Sequence, residues 1–258
     1  MRRVLVVVPA AATEESLATR RGQLQLTRFG PDIEFEFRPV KSNPAWFDSY
    51  HDWILQDLAV FEAGLETQAG GYDAVCIDTM SDGGLNFLRS VLDIPVIGAG
   101  KAAYLAALML GTRFSILTMW DPWIGMYRKS LREYGLEDKC ASIRSIDVRP
   151  DLERYLGGKE DVFPLLLEAG GRCIEEDGAD VICLGSTSMY QAHAYLVENL
   201  PVPVINPGPL VYKTAEMLLD LGLTQSRRAY RSPDVPQREK LHAMLDAAAA
   251  VDAAATHA

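Results

Sequence analysis

The sequence contains one segment twice, and this repeat limits the folds that the chain can adopt. The segment GYDAVCIDTMSDGGLNFLRSVLDIPVIGAG (71–100) aligns with GADVICLGSTSMYQAHAYLVENLPVPVINPG (178–208), with one extra residue before the second proline. In this alignment Thr79 matches Ser186, and each follows an apolar run that carries a cysteine. A unit of this length that occurs twice predicts two halves of similar fold.

Each half alternates short apolar runs with longer amphipathic stretches. RVLVVV, IEFEFRPV and AVCID are typical of strands, and residues 49–68 carry apolar side chains at helical spacing. Strands that alternate with helices form parallel sheets covered on both faces. The sequence therefore predicts an α/β fold with two pseudo-symmetric Rossmann-like lobes, each a parallel sheet flanked by helices.

The repeat also predicts the lobe boundaries. Lobe 1 is expected to combine residues 1–98 with residues 208–245, and lobe 2 to span residues 99–207. The alanine-rich residues 246–258 are predicted to form a disordered tail.

Composition narrows the possible partners and the compartment. The 258 residues carry a net charge of −10, which disfavours binding to nucleic acid because phosphates would be repelled. No apolar run reaches the roughly 18 residues of a membrane span, and the N-terminal apolar run has the length of a strand rather than of a signal peptide. The four cysteines are scattered, which favours a reducing cytoplasm over a disulfide framework.

The two matching junctions, CIDTMSDGG and CLGSTSM, are the strongest candidates for function. Ligands of parallel sheets bind outside the carboxyl ends of the strands, and both junctions are predicted at such an end. The hydroxyls of Thr79 and Ser186 would stand at the tips. The polar residues after them are also ordinary helix caps, so each of them has a structural interpretation beside the functional one.

Several segments together resemble the aspartate/glutamate/hydantoin racemase superfamily, and within it the hydantoin and allantoin racemase branch. The resemblance implies two lobes with the active site in the cleft between them, no cofactor, and a homo-oligomer. The segments that carry it are DGGL (82–85), IPVIGAGKAA (94–103), RFSILT (113–118), MYRKSLREYGLEDKCASIRSID (126–147), IEEDGADVICLGSTSM (174–189) and LGLTQSRRAY (221–230).

The resemblance implies an active site with two cysteines, which exchange a proton at a substrate carbon next to a carbonyl. Thr79 and Ser186 occupy those two positions in this chain. Cys76 and Cys183 lie three residues earlier, about 10 Å along a strand, and an odd step turns them to the opposite face. We therefore expect them to pack in the core. Because a hydroxyl is a far weaker acid than a thiol, the two-thiol mechanism is not expected.

Further residues near the tips are predicted to take part in the site. Asp78 either acts as a base beside Thr79 or points away and caps a neighbouring helix. Lys101 either binds a substrate carboxylate or is solvated, and Thr118 matches a family threonine at a strand end. The predicted catalytic residues are Thr79, Ser186 and Asp78, and the predicted substrate-binding residues are Met80, Ser81, Asp82, Gly83, Thr118, Thr187, Ser188 and Lys101. No spacing of histidines and cysteines resembles a metal site.

The resemblance and the substituted tips lead to one principal hypothesis. The chain is expected to be a hydantoin racemase-like enzyme that acts next to a carbonyl of a small carboxylate, lactam or cyclic ureide. The alternatives are a decarboxylase or other lyase, a cis–trans isomerase, a hydrolase, or a non-catalytic small-molecule binder. The expected partner is a small molecule, and neither nucleic acid nor membrane.

Overall fold

The computed structural model describes residues 1–44, 46–149 and 162–256, and contains two four-stranded parallel sheets. The first sheet has the strand order β2-β1-β3-β4, and the second has the corresponding order β6-β5-β7-β8. The strands are β1 (Arg2–Val8), β2 (Ile33–Pro39), β3 (Ala74–Ile77), β4 (Val96–Gly98), β5 (Phe114–Thr118), β6 (Cys140–Ser145), β7 (Val181–Leu184) and β8 (Val204–Ile205).

Helices follow the strands in the alternation that the sequence predicts. They are α1 (Glu14–Arg21), α2 (Tyr50–Leu65), α3 (Leu85–Val91), α4 (Ala99–Leu110), α5 (Ile124–Tyr134), α6 (Phe163–Glu175), α7 (Tyr190–Asn199), α8 (Pro207–Asp220) and α9 (Arg238–Thr256). Thr13 and Ser49 cap α1 and α2 by accepting a backbone N–H bond into the side-chain oxygen. The predicted α/β class, with a parallel sheet flanked by helices in each half, is confirmed.

The chain divides into two compact units. Unit 1 comprises Met1–Asp78, Asp82–Gly98 and Tyr212–Ala258, and unit 2 comprises Thr79–Ser81 and Ala99–Val211. The prediction placed residues 79–81 in the first lobe, whereas they group with unit 2. The prediction also returned the chain to the first lobe at residue 208, four residues before Tyr212.

The core of each unit lies on the faces of its sheet. In unit 1, Leu5, Val75 and Leu88 are fully buried, and Leu245 of α9 joins the same cluster. In unit 2, Leu117 and Leu184 pack against the helices α6 and α7 through a second cluster. No helix in the part of the chain that the structure describes is both long and apolar enough to span a bilayer.

The C-terminal segment differs from the expected disordered tail. Helix α9 continues to Thr256, and residues 257 and 258 lie outside the described residues. Alanine has the highest helix propensity, so the composition that suggested disorder also favours a helix once one end is held. Leu245 anchors that end in the core, and Lys41 binds Asp246 at 2.6 Å.

The contact between α9 and α2 makes stability depend on pH. His242 Nδ1 lies 2.6 Å from the buried Glu62, and its Nε2 lies 3.4 Å from Glu66. Lys41 also binds Glu62, and Arg238 binds Glu66. The hydrogen bond to Glu62, followed by that to Glu66, raises the pKa of His242 above 6.5 against the opposing effect of burial.

A raised pKa in the folded state means that protonated His242 stabilises the fold. This stabilisation is fully present below pH 6.5 and is lost as pH rises through the raised pKa. We expect urea unfolding midpoints to fall over that pH window in the wild type, and to fall less in His242→Gln. Equal pH slopes in the two proteins would contradict this assignment.

Candidate active site

The first candidate turn begins where β3 ends. The Asp78 N–H donates to Val7 O at 3.0 Å, which holds the chain to the neighbouring strand for one residue beyond Ile77. The hydroxyl of Thr79 then lies 3.1 Å from the hydroxyl of Ser81 and accepts a bond from the Ser81 N–H at 3.4 Å. Thr79 is thus the first member of a pair of hydroxyls.

The second candidate turn repeats this arrangement after β7. The Gly185 N–H donates to Leu117 O at 2.8 Å, and the chain then leaves the sheet. The Ser186 hydroxyl lies 2.7 Å from the Ser188 hydroxyl and accepts from the Ser188 N–H at 3.3 Å. Each turn therefore places a hydroxyl at the tip and orients it with a second hydroxyl two residues later.

In each turn, a buried tyrosine hydroxyl forms a hydrogen bond with the residue before the tip hydroxyl. In unit 1 the Tyr212 hydroxyl donates to the Asp78 carboxylate at 3.2 Å. In unit 2 the Tyr127 hydroxyl donates to the carbonyl of Gly185 at 2.6 Å. Asp78 and Gly185 are the residues immediately before Thr79 and Ser186, so a phenol contacts the same position in both turns.

Thr118 is part of the Tyr127 arrangement. Its hydroxyl lies 2.9 Å from the Tyr127 hydroxyl, and both residues are fully buried. Because Tyr127 gives its single proton to Gly185, Thr118 must be the donor to Tyr127. Burial raises the pKa of Tyr127, which keeps this phenol protonated. The structure thus gives Thr118 a supporting partner, and its predicted contact with substrate stays a prediction.

Asp78 forms an ion pair that the sequence did not predict. Its fully buried carboxylate accepts from Arg20 of α1 at 2.6 Å. The sequence offered a catalytic base or a helix cap, and the structure supplies an arginine and a tyrosine as partners. Arg20 had no signal in the sequence because it lies in a polar helix 58 positions away.

The remaining predicted residues differ in how far their side chains are exposed to solvent. Met80, Asp82 and Thr187 are almost entirely buried, with at most 6% exposure. Asp82 also has a φ of 52°, a left-handed backbone that non-glycine residues rarely adopt. Lys101 lies on α4 with its ammonium 5.0 Å from the centre of the Tyr134 ring. Ser81 and Ser188 are therefore the predicted binding residues that the structure joins directly to the two tip hydroxyls.

The cysteines lie inside the units rather than at the tips. Cys76 pairs in register with Val6 and Ile97, and Cys183 with Ile116 and Ile205; both are fully buried. Burial raises the pKa of both thiols well above the ordinary value. It also raises the pKa of Cys140 to about 12. These thiols are unsuited to proton transfer near neutral pH.

This burial leads to a prediction about alkylation. Iodoacetamide under native conditions should leave turnover nearly unchanged, because the protonated, buried thiols react slowly. Thiol titration in native and unfolded protein would count the groups that are protected. Cys76→Ala and Cys183→Ala should each lower the free energy of unfolding by about 1 kcal/mol through lost packing. Complete loss of turnover after mild alkylation, with the fold intact, would contradict the prediction.

Two α/β units, each with a parallel sheet of the same strand order, agree with the fold that the family resemblance implies. The model of the Asp/Glu/Hydantoin racemase family matches residues 4–215. The chain belongs to this family and is an enzyme of the racemase superfamily.

Similar proteins agree with this assignment. The hydantoin racemase of Pseudomonas sp. (strain NS671) is 33% identical over 196 residues, covering 75% of this chain and 78% of that protein. The allantoin racemase of Klebsiella pneumoniae has a similar structure, with a TM-score of 0.82 and 26% identity over 93% of this chain and 99% of that one. Arylmalonate decarboxylase has the same fold, with a TM-score of 0.59 at 20% identity over 89% of this chain and 97% of that one.

Proposed function

We propose that this enzyme acts at a carbon next to a carbonyl of a small carboxylate, lactam or cyclic ureide, without transferring protons between two thiols. The observation that carries the proposal is the pair of hydroxyls at each turn. Thr79 and Ser186 stand where the family resemblance expects reactive cysteines, and each is paired with a second hydroxyl, that of Ser81 or Ser188.

The chemistry of such a site depends on negative charge. Breaking a bond to a carbon beside a carbonyl places charge on the carbonyl oxygen, and fixed O–H and N–H donors stabilise that charge. Ser81 and Ser188 hold the tip hydroxyls in fixed orientations, so little reorganisation is needed during the reaction. The hydroxyls would orient substrate or water and would carry a proton only if a substrate group activates them.

The residues at the tips are compatible with four types of reaction. Racemisation is what relatives with this fold are named for, but it needs a proton donor on each face of the carbon. Alcohol groups perform that task poorly without an adjacent base. The same donors would also stabilise the intermediate of a decarboxylation, a cis–trans isomerisation or a hydrolysis, so all four reactions belong to the proposal.

A screen in D₂O tests the proposal. Hydantoins, allantoin, amino acids, aryl malonates and maleate would be incubated with the enzyme, with turnover and deuterium incorporation as readouts. We expect turnover, or exchange at the carbon beside the carbonyl, with at least one of these substrates, and the loss of either in the double variant Thr79→Val, Ser186→Ala. Lack of both with every class would overturn the proposal.

A non-catalytic binder is a second candidate, because the buried thiols and the ion-paired Asp78 supply no evident proton carrier. Calorimetric titration separates the two functions. Saturable binding of one compound without exchange or turnover would identify a binder, whereas exchange identifies an enzyme.

A further inference from the structure

The carboxylate of Asp78 is buried at the end of β3 among groups from three elements. Its side chain has no exposure, while that of Arg20 is 15% exposed. Arg20 reaches it from α1 at 2.6 Å, and Tyr212 reaches its other oxygen from α8 at 3.2 Å. Removing a carboxylate from water is costly unless a counter-charge and hydrogen bonds replace the hydration, and these two partners do so.

This environment is poor for a proton acceptor. A general base must come within hydrogen-bond reach of the proton that it removes. The Asp78 side chain is closed to solvent, one of its oxygens is held by a guanidinium and the other by a phenol. The carboxylate is therefore not open to a substrate proton.

The same environment is well suited to fixing the backbone. The main chain of Asp78 is bonded to Val7, and its side chain is bonded to α1 and α8. The next peptide leads to Thr79, whose hydroxyl begins the first pair. In the second turn the corresponding residue is Gly185, and Tyr127 holds its carbonyl instead. In both turns, the residue at which the chain leaves the sheet is thus held by a buried tyrosine hydroxyl.

We propose that Arg20, Asp78 and Tyr212 form a charged clamp that sets the position of the Thr79 turn. Asp78 acts through the backbone as a positioning residue and not as a base. The catalytic part of this inference rests on the proposed function, whereas the structural part does not.

Hydrogen exchange tests the structural part without a substrate. In Arg20→Met and Asp78→Asn, the amides of residues 79–81 should exchange at least about tenfold faster than in the wild type, because local opening becomes easier. Arg20→Lys keeps the charge and guards against misfolding, and it should give an intermediate rate. Arg231→Met is the control, since Arg231 is exposed and forms its ion pair with Asp234, only three residues away. Unchanged exchange in residues 79–81 of the Arg20 and Asp78 variants would overturn the clamp.

Kinetics on a substrate found in the screen test the catalytic part. Each clamp variant should lower kcat by about 10- to 100-fold with little change in KM, because a shifted turn impairs the reaction more than binding. The shape of the pH profile should stay as in the wild type. The double variant Arg20→Met, Asp78→Asn should lose less than the product of the single losses, since it leaves no unpaired buried charge.

Two outcomes overturn the catalytic part. One is a large loss of turnover in Asp78→Asn whose residual rate no longer shows the acidic limb of the pH profile, which would identify Asp78 as the base. The other is full activity in all the clamp variants. An inactive wild type would count against the proposed function, and the exchange experiment would still decide the clamp.

Discussion

Replacing Thr79 with valine should lower turnover by about 10²–10³-fold, because valine keeps the shape and removes a hydroxyl donor that we propose to contact the reacting substrate. Ser186→Ala should have a similar effect at the second turn. The measurement is kcat/KM on a substrate found in the D₂O screen, with circular dichroism to show that the fold survives. Each loss corresponds to about 2.7–4 kcal/mol of transition-state stabilisation.

The double variant tells whether the two hydroxyls act together. If both contact one substrate, the double change should cost less than the sum of the single changes, expressed as free energies. Ser90→Ala is the matched control, since the Ser90 hydroxyl donates to Phe87 O within α3. Full activity in both Thr79→Val and Ser186→Ala would show that the chemistry lies elsewhere, with Lys101 the next candidate.

Gly185→Ala should damage both stability and activity, since the space beside this glycine is already filled. An added Cβ would lie 2.8 Å from Thr118 Cβ and 2.9 Å from the Tyr127 hydroxyl. Relieving that overlap must move the Thr118 and Tyr127 pair or shift the Ser186 turn. We expect a loss of about 1–3 kcal/mol in the free energy of unfolding. A displaced turn should also cost about 10²-fold in kcat.

Gly171→Ala is the natural control for this substitution. Gly171 lies within α6, and an added Cβ there meets nothing within 4 Å. Alanine should therefore stabilise the helix by up to about 1 kcal/mol and leave turnover unchanged. Thermal unfolding of the two variants gives the comparison. If Gly185→Ala keeps the wild-type Tm and rate, the close packing behind the second turn is not required.

The class of fold could be predicted because its signals are local. Runs such as RVLVVV and AVCID have the length and composition of buried strands, and the repeat gives both halves the same order of elements. The end of α9 could not be predicted in this way. Whether an alanine-rich segment is helical depends on the docking of Leu245 and on the contacts of Asp246 with Lys41 and of His242 with Glu62, which join residues 205 and 180 positions apart.

Only part of the candidate site could be predicted from the sequence. The hydroxyls at positions 79 and 186 followed from the repeat, and their partners at 81 and 188 lie close enough to be recognised as polar turn residues. Arg20 and Tyr127 could not be found, because which side chain reaches residue 78 or 185 depends on how α1 and α5 pack on their sheets. Tyr212 could have been noticed, because the alignment of the two halves continues beyond residues 100 and 208 and matches Tyr212 to Tyr104.

The order of the units along the chain has a consequence for biosynthesis. All four strands of the first sheet have been synthesised once the chain reaches Gly98. Tyr212 follows only after unit 2, and its ring centroid lies 5.6 Å from that of Phe35 and 5.8 Å from that of Phe37. Leu245 emerges from the ribosome later still. While unit 2 is being translated, the strands of the first sheet are complete but the Tyr212 ring is not yet available to pack on Phe35 and Phe37. During that interval the growing chain is most exposed to aggregation and to capture by chaperones.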